Sequence, residues 1–173
     1  MVIPNWATQV RPGPATAIDE NTQQLSFSFR RVGQTNPGDL VFTVPPQITN
    51  FRVDPVTNLV SADLEFQTAP DSNTSRGPAV FEVTLVDNGT ASPPPNVNLS
   101  AASLLTITVQ PVNDAPQFTI AGSSQTVDED AAGVTVPNFI TNIKRGPDAA
   151  TDEVGQKVDF LLALSQAMVV PAQ

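Results

Sequence analysis

Apolar and polar side chains alternate along much of this chain. Leu25, Phe27 and Phe29 are separated by the polar residues Ser26 and Ser28. The same period of two recurs at 64–66, 81–86 and 105–109. Because successive side chains of a strand point to opposite faces of a sheet, the pattern predicts half-buried strands of an antiparallel sheet. The predicted core consists of the apolar residues of these stretches: Leu25, Phe27, Phe29, Leu64, Phe66, Phe81, Val83, Leu85, Leu105, Ile107 and Val109.

The first ten residues follow a different pattern. Ile3, Trp6 and Val10 are apolar at spacings of three and four, and Pro4 suits the first turn of a helix. This spacing predicts a short helix or coiled loop over 3–10, covering one end of the sheets.

A pair of prolines interrupts a later apolar stretch. Pro45 and Pro46 have no backbone N–H to donate to a sheet ladder. We therefore expect two separate strands here, 40–44 and 48–53.

Part of the sequence is repeated without a gap. From residue 4 to residue 29, ten positions carry the residue that is also found 133 places later, and we call this offset the repeat period. Gly13-Pro14 recurs as Gly146-Pro147, and Asp19-Glu20 recurs as Asp152-Glu153. A fixed period indicates a tandem array in which the repeating unit is an architectural module.

The period divides the chain into one near-complete repeat and part of a second. Residues 1–112 form the first repeat, 113–116 the linker and 117–173 the partial second repeat. By this alignment the first repeat lacks the opening strand that 117–127 supplies to the second. The whole is predicted to be an all-β protein, a Greek-key β-sandwich.

Composition narrows the range of functions. Seventeen Pro and nine Gly favour a turn-rich β protein over helices. A net charge of −9 argues against nucleic acid, whose phosphates repel an acidic surface. The absence of Cys and His excludes disulfides, His-dependent nucleophile triads and His- or thiolate-bound zinc. No apolar stretch is long enough to predict a membrane span, which takes roughly 20 residues in a helix.

The end of the first repeat carries the most specific residues. VTLVDNG at 83–89, LTITV at 105–109 and PVNDAPQF at 111–118 resemble the end of a bacterial cadherin-like tandem repeat. The segments 127–130 and 146–156 extend the resemblance over nearly the whole chain. It implies an extracellular immunoglobulin-like sandwich with a spacer, adhesive or structural role and no catalysis.

The resemblance also implies a calcium site at the repeat junction. The matching residues are Asp87 of the Asp-Asn-Gly turn, Asn113 and Asp114 of the linker, and Glu129 of the following repeat. Calcium takes about six to eight oxygen ligands, usually including several carboxylates. The alternative is that these residues stabilise turns and strand ends through bonds to the backbone.

The remaining acidic residues have a simpler interpretation. The carboxylates of 128–130 and of Asp152-Glu153 form a conceivable acid pair for glycoside hydrolysis. Because Asp19-Glu20 duplicates Asp152-Glu153, and one active site needs no duplicate, we favour solvated loop acids. Trp6 is favoured as a core residue over a platform that stacks on sugars.

The function predicted from these observations is a non-catalytic extracellular structural or adhesive repeat. Its expected partners are copies of itself or neighbouring repeats, with no nucleic acid and no membrane span. The spare strand of 117–127 suggests head-to-tail strand donation into a filament; an arbitrary fragment with a disordered apolar tail over 158–170 is the other possibility. An alternative function is a carbohydrate- or ligand-binding accessory module of a larger secreted adhesin or hydrolase.

Overall fold

The protein is built almost entirely of short β-strands. The computed structural model describes residues 1–33, 40–93 and 96–163. Two single-turn 3-10 helices, Ile18–Glu20 and Thr151–Glu153, accompany eight strands in these residues. The strands are β1 (Val2–Val10), β2 (Leu25–Arg31), β3 (Phe42–Val53), β4 (Val60–Thr68), β5 (Ala79–Asp87), β6 (Ser103–Ile107), β7 (Gln117–Ile120) and β8 (Ile140–Lys144).

The chain forms two compact units. The first contains Met1–Val112 together with Ala149–Asp152. The second contains Asn113–Asp148 and the residues from Glu153 onward. Each unit is described separately below.

The first unit contains two antiparallel three-stranded sheets. One has the strand order β1-β4-β3 and the other β2-β5-β6. Buried residues of both sheets form one cluster, so the sheets pack face to face. The prediction of an all-β sandwich is therefore confirmed. The buried cluster comprises Leu40, Leu64, Phe66, Ala79, Phe81 and Ile107.

The predicted core residues lie inside this sandwich. Five of them are buried: Leu64, Phe66, Phe81, Val83 and Ile107. The other six are half-buried. The alternation did not identify Leu40, Ala62 and Ala79, which are also buried. Trp6 is half-buried against the same core, with its ring 6.4 Å from the rings of Phe27 and Phe29, which confirms its predicted core role.

The prediction of a helix or coiled loop over 3–10 is wrong, because this segment is strand β1. Asn5 and Gln9 have positive φ values of 52° and 54°. The register with β4 shifts at these points, so that Ile3 pairs with Leu64 and Ala7 with Ala62. Extra residues in one strand form bulges, which return apolar residues to the inner face at spacings other than two. The spacing of three and four thus comes from bulges.

The prediction of two strands around Pro45 and Pro46 is also wrong, because β3 is continuous from Phe42 to Val53. The register with β4 shifts between Val44 and Gln47, where the prolines lie. Strand β3 is at the edge of its sheet, where a proline can be accommodated without removing a ladder bond.

The carboxylate of Asp63, on the central strand β4, connects the two irregular strands β1 and β3. Asp63 of β4 is 4% exposed. It accepts a hydrogen bond from the backbone N–H of Asn5 (2.8 Å), from the Asn50 amide (2.9 Å) and from the Arg52 guanidinium (3.2 Å). Arg52 also donates to the Asn5 side chain at 2.9 Å. The Arg52 bond, followed by the Asn5 and Asn50 bonds, lowers the pKa of Asp63 well below its usual value.

The second unit contains one two-stranded antiparallel sheet, β7 with β8, among its described residues. Thr119 pairs with Thr141 and Ile120 with Ile140. The rings of Phe118 and Phe160 meet edge to face at 5.4 Å. An isolated pair of strands is only marginally stable in water. We therefore expect this sheet to be less stable than the three-stranded sheets of the first unit.

Part of the apolar tail is described. Leu161 and Leu162 are almost fully exposed, and Val158 is half-buried. The other apolar residues expected there, Leu164, Met168, Val169 and Val170, lie outside the described residues.

Replacing Phe81 by Ala should lower the stability of the first unit by about 3–5 kcal/mol, because a buried ring is lost and a cavity remains. Denaturant unfolding of the full chain measures this change. Leu104→Ala on the neighbouring strand is the control, since Leu104 is 71% exposed. Equal midpoints for the two variants would contradict the core assignment.

Asp63→Asn should destabilise the first unit at neutral pH, since Arg52 loses its ionic partner. The pKa of Asp63 is lowered on folding, so its contribution is present above the unfolded value of about 3.9 and is lost as the pH falls toward the folded value. The stability gap between wild type and Asp63→Asn should accordingly narrow below about pH 4 in thermal unfolding. The exposed Asp71→Asn serves as the control, and a gap independent of pH would refute this role for Asp63.

Candidate functional site

The sequence repeat is reproduced in the backbone. Asn138 has a φ of 55° where its counterpart Asn5 has 52°, and Asn142 has 51° where Gln9 has 54°. The two 3-10 helices, Ile18–Glu20 and Thr151–Glu153, are also separated by one repeat period. Residues other than glycine seldom adopt positive φ, so two such pairs at one period indicate a shared local fold.

A loop that runs from Gly13 to Gln23 in the first copy and from Gly146 to Gln156 in the second is the most closely repeated feature. We call it the Gly-Glu loop. In both copies the Gln backbone N–H donates to the Glu carbonyl oxygen at 2.9 Å. In both copies, a methyl group added to the glycine would overlap the Glu carboxylate. Glycine is needed because the carboxylate packs directly against its backbone.

In the second copy this loop holds the linker. The carboxylate of Glu153 accepts the backbone N–H of Asp114. The side-chain amide of Gln156 donates to the side-chain oxygen of Asn113 at 2.9 Å. The Asp114 Cβ lies 3.3 Å from the position that a Cβ on Gly146 would take. The Asn-Asp pair of the linker is therefore fixed by bonds to both its backbone and its side chains.

The prediction that the acids of this loop are solvated is wrong for Glu153. It is 1% exposed, and one carboxylate oxygen, Oε2, is buried with no hydrogen-bond partner among the described residues. Asp152 is only half-buried, and its carboxylate accepts a bond from the Asn73 amide at 2.5 Å within the first unit. The signal available in the sequence was that the Asp-Glu pair and the glycine earlier in the loop are both duplicated. This joint duplication indicates that the Glu carboxylate and the glycine pack together.

The four residues predicted to bind calcium have different surroundings. Asp87 ends β5 in the first unit and accepts the backbone N–H of Gly89 at 2.6 Å. Asn113 and Asp114 belong to the second unit and contact its Gly-Glu loop. Glu129 is exposed in the segment between β7 and β8.

These bonds favour turn-stabilising and linker-holding roles for Asp87, Asn113 and Asp114. In the part of the chain that the structure describes, no three His, Cys, Asp or Glu residues form a group suited to a metal ion. Oxygens of Asn or of the backbone are also calcium ligands, so calcium binding stays a prediction to be tested by titration.

Comparison with known proteins gives no relative: no family model, no curated protein and no solved structure matches this chain. Among the described residues, no helix is long and apolar enough to cross a membrane.

If the junction binds calcium, titrating metal-free protein should give saturable heat and a higher melting temperature, because binding to the folded state stabilises it by mass action. Asp114→Asn should reduce both effects, while Asp128→Asn, a nearby acid outside the predicted set, should not. Isothermal titration calorimetry and thermal unfolding at millimolar calcium provide the measurement. The absence of heat and of any thermal shift would dismiss the site.

Proposed function

We propose that this chain is a non-catalytic extracellular structural or adhesive repeat of the cadherin-like type. It joins copies of itself or neighbouring repeats head to tail by strand donation. The observation that carries the proposal is an asymmetry between the two copies. Strand β8 of the second copy is paired with β7, whereas its counterpart β1 has no partner on its outer edge among the described residues.

The strand orders support an immunoglobulin-like arrangement. In such domains the strands, lettered A to G along the chain, form one sheet ABED and another CFG. The orders β1-β4-β3 and β2-β5-β6 correspond to B-E-D and C-F-G. The pair β7-β8 corresponds to A and B of the next repeat. Strand A of the first repeat would then lie against the outer edge of β1.

The repeat period also gives the register of a donated strand. Thr119 pairs with Thr141, and Ile120 pairs with Ile140. When the β8 partners are replaced by their counterparts one repeat period earlier, these pairs become Thr119 with Thr8 and Ile120 with Ala7. A strand added to an exposed sheet edge gains main-chain hydrogen bonds along its length.

Strand β7 has apolar surface available for this role. Phe118 is 52% exposed and Ile120 is 48% exposed. Burying apolar surface contributes about 25 cal/mol per Å². In strand donation β7 exchanges β8 for β1 of another copy, because the two pairings use the same residues of β7. It then becomes the fourth strand of a sheet that packs on a second sheet, which supports it better than a two-stranded sheet does. A head-to-tail contact of one kind gives a filament unless it closes into a ring.

The extracellular role follows from the resemblance of the linker and strand sequences, supported by the acidic surface. A net charge of −9 favours solubility, and the strand pairing has to exceed the repulsion between like-charged copies. The absence of His and Cys removes the commonest nucleophile–base pairs, which favours a structural role over catalysis.

One observation favours the alternative, a carbohydrate- or ligand-binding accessory module. A groove of about 460 Å³ opens in the first unit beside β2 and β3. Its lining includes Phe27, Phe29 and Phe51. Exposed aromatic rings in a groove are suited to apolar or sugar ligands. Glycan-array binding that is lost in Phe51→Ala would favour this alternative.

Strand donation predicts that the intact chain self-associates and that Thr119→Pro abolishes association, because proline removes a ladder N–H and clashes in a paired strand. Light scattering over a range of concentrations measures this. Ser123→Pro, in the exposed segment after β7, is the matched control and should assemble normally.

A second variant tests the same prediction from the donor side. Deleting 117–173 should leave a soluble monomer that keeps both sheets of the first unit, although it also removes Ala149–Asp152 of that unit. An intact chain that is monomeric at high concentration, with a protease-sensitive tail, would overturn the proposal.

A further inference from the structure

The Gly-Glu loop of the first copy has the same residues as the loop that holds the linker in the second copy, but it holds no linker among the described residues. Gly13, Glu20 and Gln23 stand where Gly146, Glu153 and Gln156 stand. Around the position of a Cβ on Gly13, the three nearest atoms all belong to Glu20 itself. At Gly146 the third nearest atom is the Asp114 Cβ.

The glutamate of the loop is also less buried in the first copy than in the second. Glu153 is 1% exposed beneath the linker, whereas Glu20 is only half-buried. Gln156 donates its Nε2 amide to the Asn113 side-chain oxygen. No corresponding donation from the Nε2 amide of its counterpart Gln23 is present among the described residues. The first loop thus keeps the backbone geometry of a linker-binding loop. Among the described residues, Glu20 and Gln23 do not make the bonds to a linker that Glu153 and Gln156 make.

We infer that Gly13, Glu20 and Gln23 form a binding site for the Asn113-Asp114 segment of a second copy of this chain. This inference rests on the proposed strand donation and adds a recognition site to it. The donated segment exchanges Glu153, Gln156 and β8 of its own chain for Glu20, Gln23 and β1 of the next. Glu20 accepts the backbone N–H of the incoming Asp114. Gln23 donates its amide to the Asn113 side chain, and the missing Cβ of Gly13 leaves room for the Asp114 side chain.

The sites for the linker and for the strand act together. In the donor chain, Ala115 and Pro116 alone separate the Asn-Asp pair from β7. The same repeat period that moves Asp114 from Glu153 to Glu20 also moves Thr119 from Thr141 to Thr8. One donated segment, residues 113–120, therefore satisfies both sites in a single register.

The linker contact also selects the register of the donated strand. A strand shifted by two residues retains its inward-facing set, so alternation alone does not distinguish it. Such a shift would move Asp114 away from Glu20 and leave that carboxylate without the donated N–H. A charge-assisted bond is among the stronger hydrogen bonds, and its loss penalises the shifted register.

Fluorescently labelled peptides test the site by anisotropy on the full chain carrying Thr119→Pro, whose own β7 cannot compete. The long peptide has residues 112–121, the short one has 117–121, and a third has 112–116 followed by 117–121 in scrambled order. We expect the long peptide to bind at least about tenfold more tightly than the short one. Glu20→Ala in the chain, or Asn113→Ala in the peptide, should reduce the long peptide to the affinity of the short one.

Glu153→Ala is the matched control on the second loop and should leave binding of the long peptide unchanged. Equal binding of the long and short peptides, or no effect of Glu20→Ala, would overturn the linker site while leaving strand donation in place. Binding of the scrambled peptide that depends on Glu20 would support the linker site, and it would count against strand donation if it were as tight as that of the long peptide. If no peptide binds, both are wrong.

Discussion

The sheet formed by β1, β4 and β3 depends on the carboxylate of Asp63. Strands β1 and β3 both leave the regular pleat, and their bulges leave polar groups without the usual ladder partners. Asp63 on the strand between them satisfies Asn5 on one side and Asn50 and Arg52 on the other. Because unpaired polar groups at a half-buried site are costly, this one residue stabilises one irregularity of β1, at Asn5, and one of β3, at Asn50.

The positive φ values of β1 recur in the second copy. Asn138, two residues before β8, repeats that of Asn5, and Asn142 within β8 repeats that of Gln9. The bulged strand is therefore a property of the repeat sequence itself, since it forms in two different surroundings. The repeat sequence therefore specifies an irregular strand, and in the second copy this is the strand that pairs with β7.

Sequence patterns predicted those elements whose pairing is regular. Strands β2, β4 and β5 alternate strictly and were predicted with their inward faces. Strand β1 was missed because two bulges give apolar residues a helix-like spacing, and the residue that satisfies the bulges, Asp63, is 58 positions away from Asn5. Single-sequence periodicity contains no information about such distant partners.

The junction was predicted in part for a related reason. The Asn113-Asp114 pair was identified from the linker, but the calcium prediction paired it with Asp87 and Glu129. Within the second unit the pair is bonded by Glu153 and Gln156, and sequence reasoning assigned Glu153 to solvent. Nothing in a run such as Asp152-Glu153 reveals that a glycine earlier in the same loop makes room for the carboxylate. The duplication of both residues at one period was the available clue.

The two prolines of β3 have a consequence for the direction in which such molecules can grow. A sheet has two edges, and in the first unit they are β1 and β3. Pro45 and Pro46 lack backbone N–H groups, and prolines on an edge strand discourage a further strand from adding there. Strand β1 carries Pro4 near its start, and the positions facing the expected donor, Ala7 and Thr8, retain their N–H groups. Under the proposed strand donation, addition at β1 is therefore favoured over addition at β3, which would give a chain of these molecules a polarity and disfavour branching through this sheet.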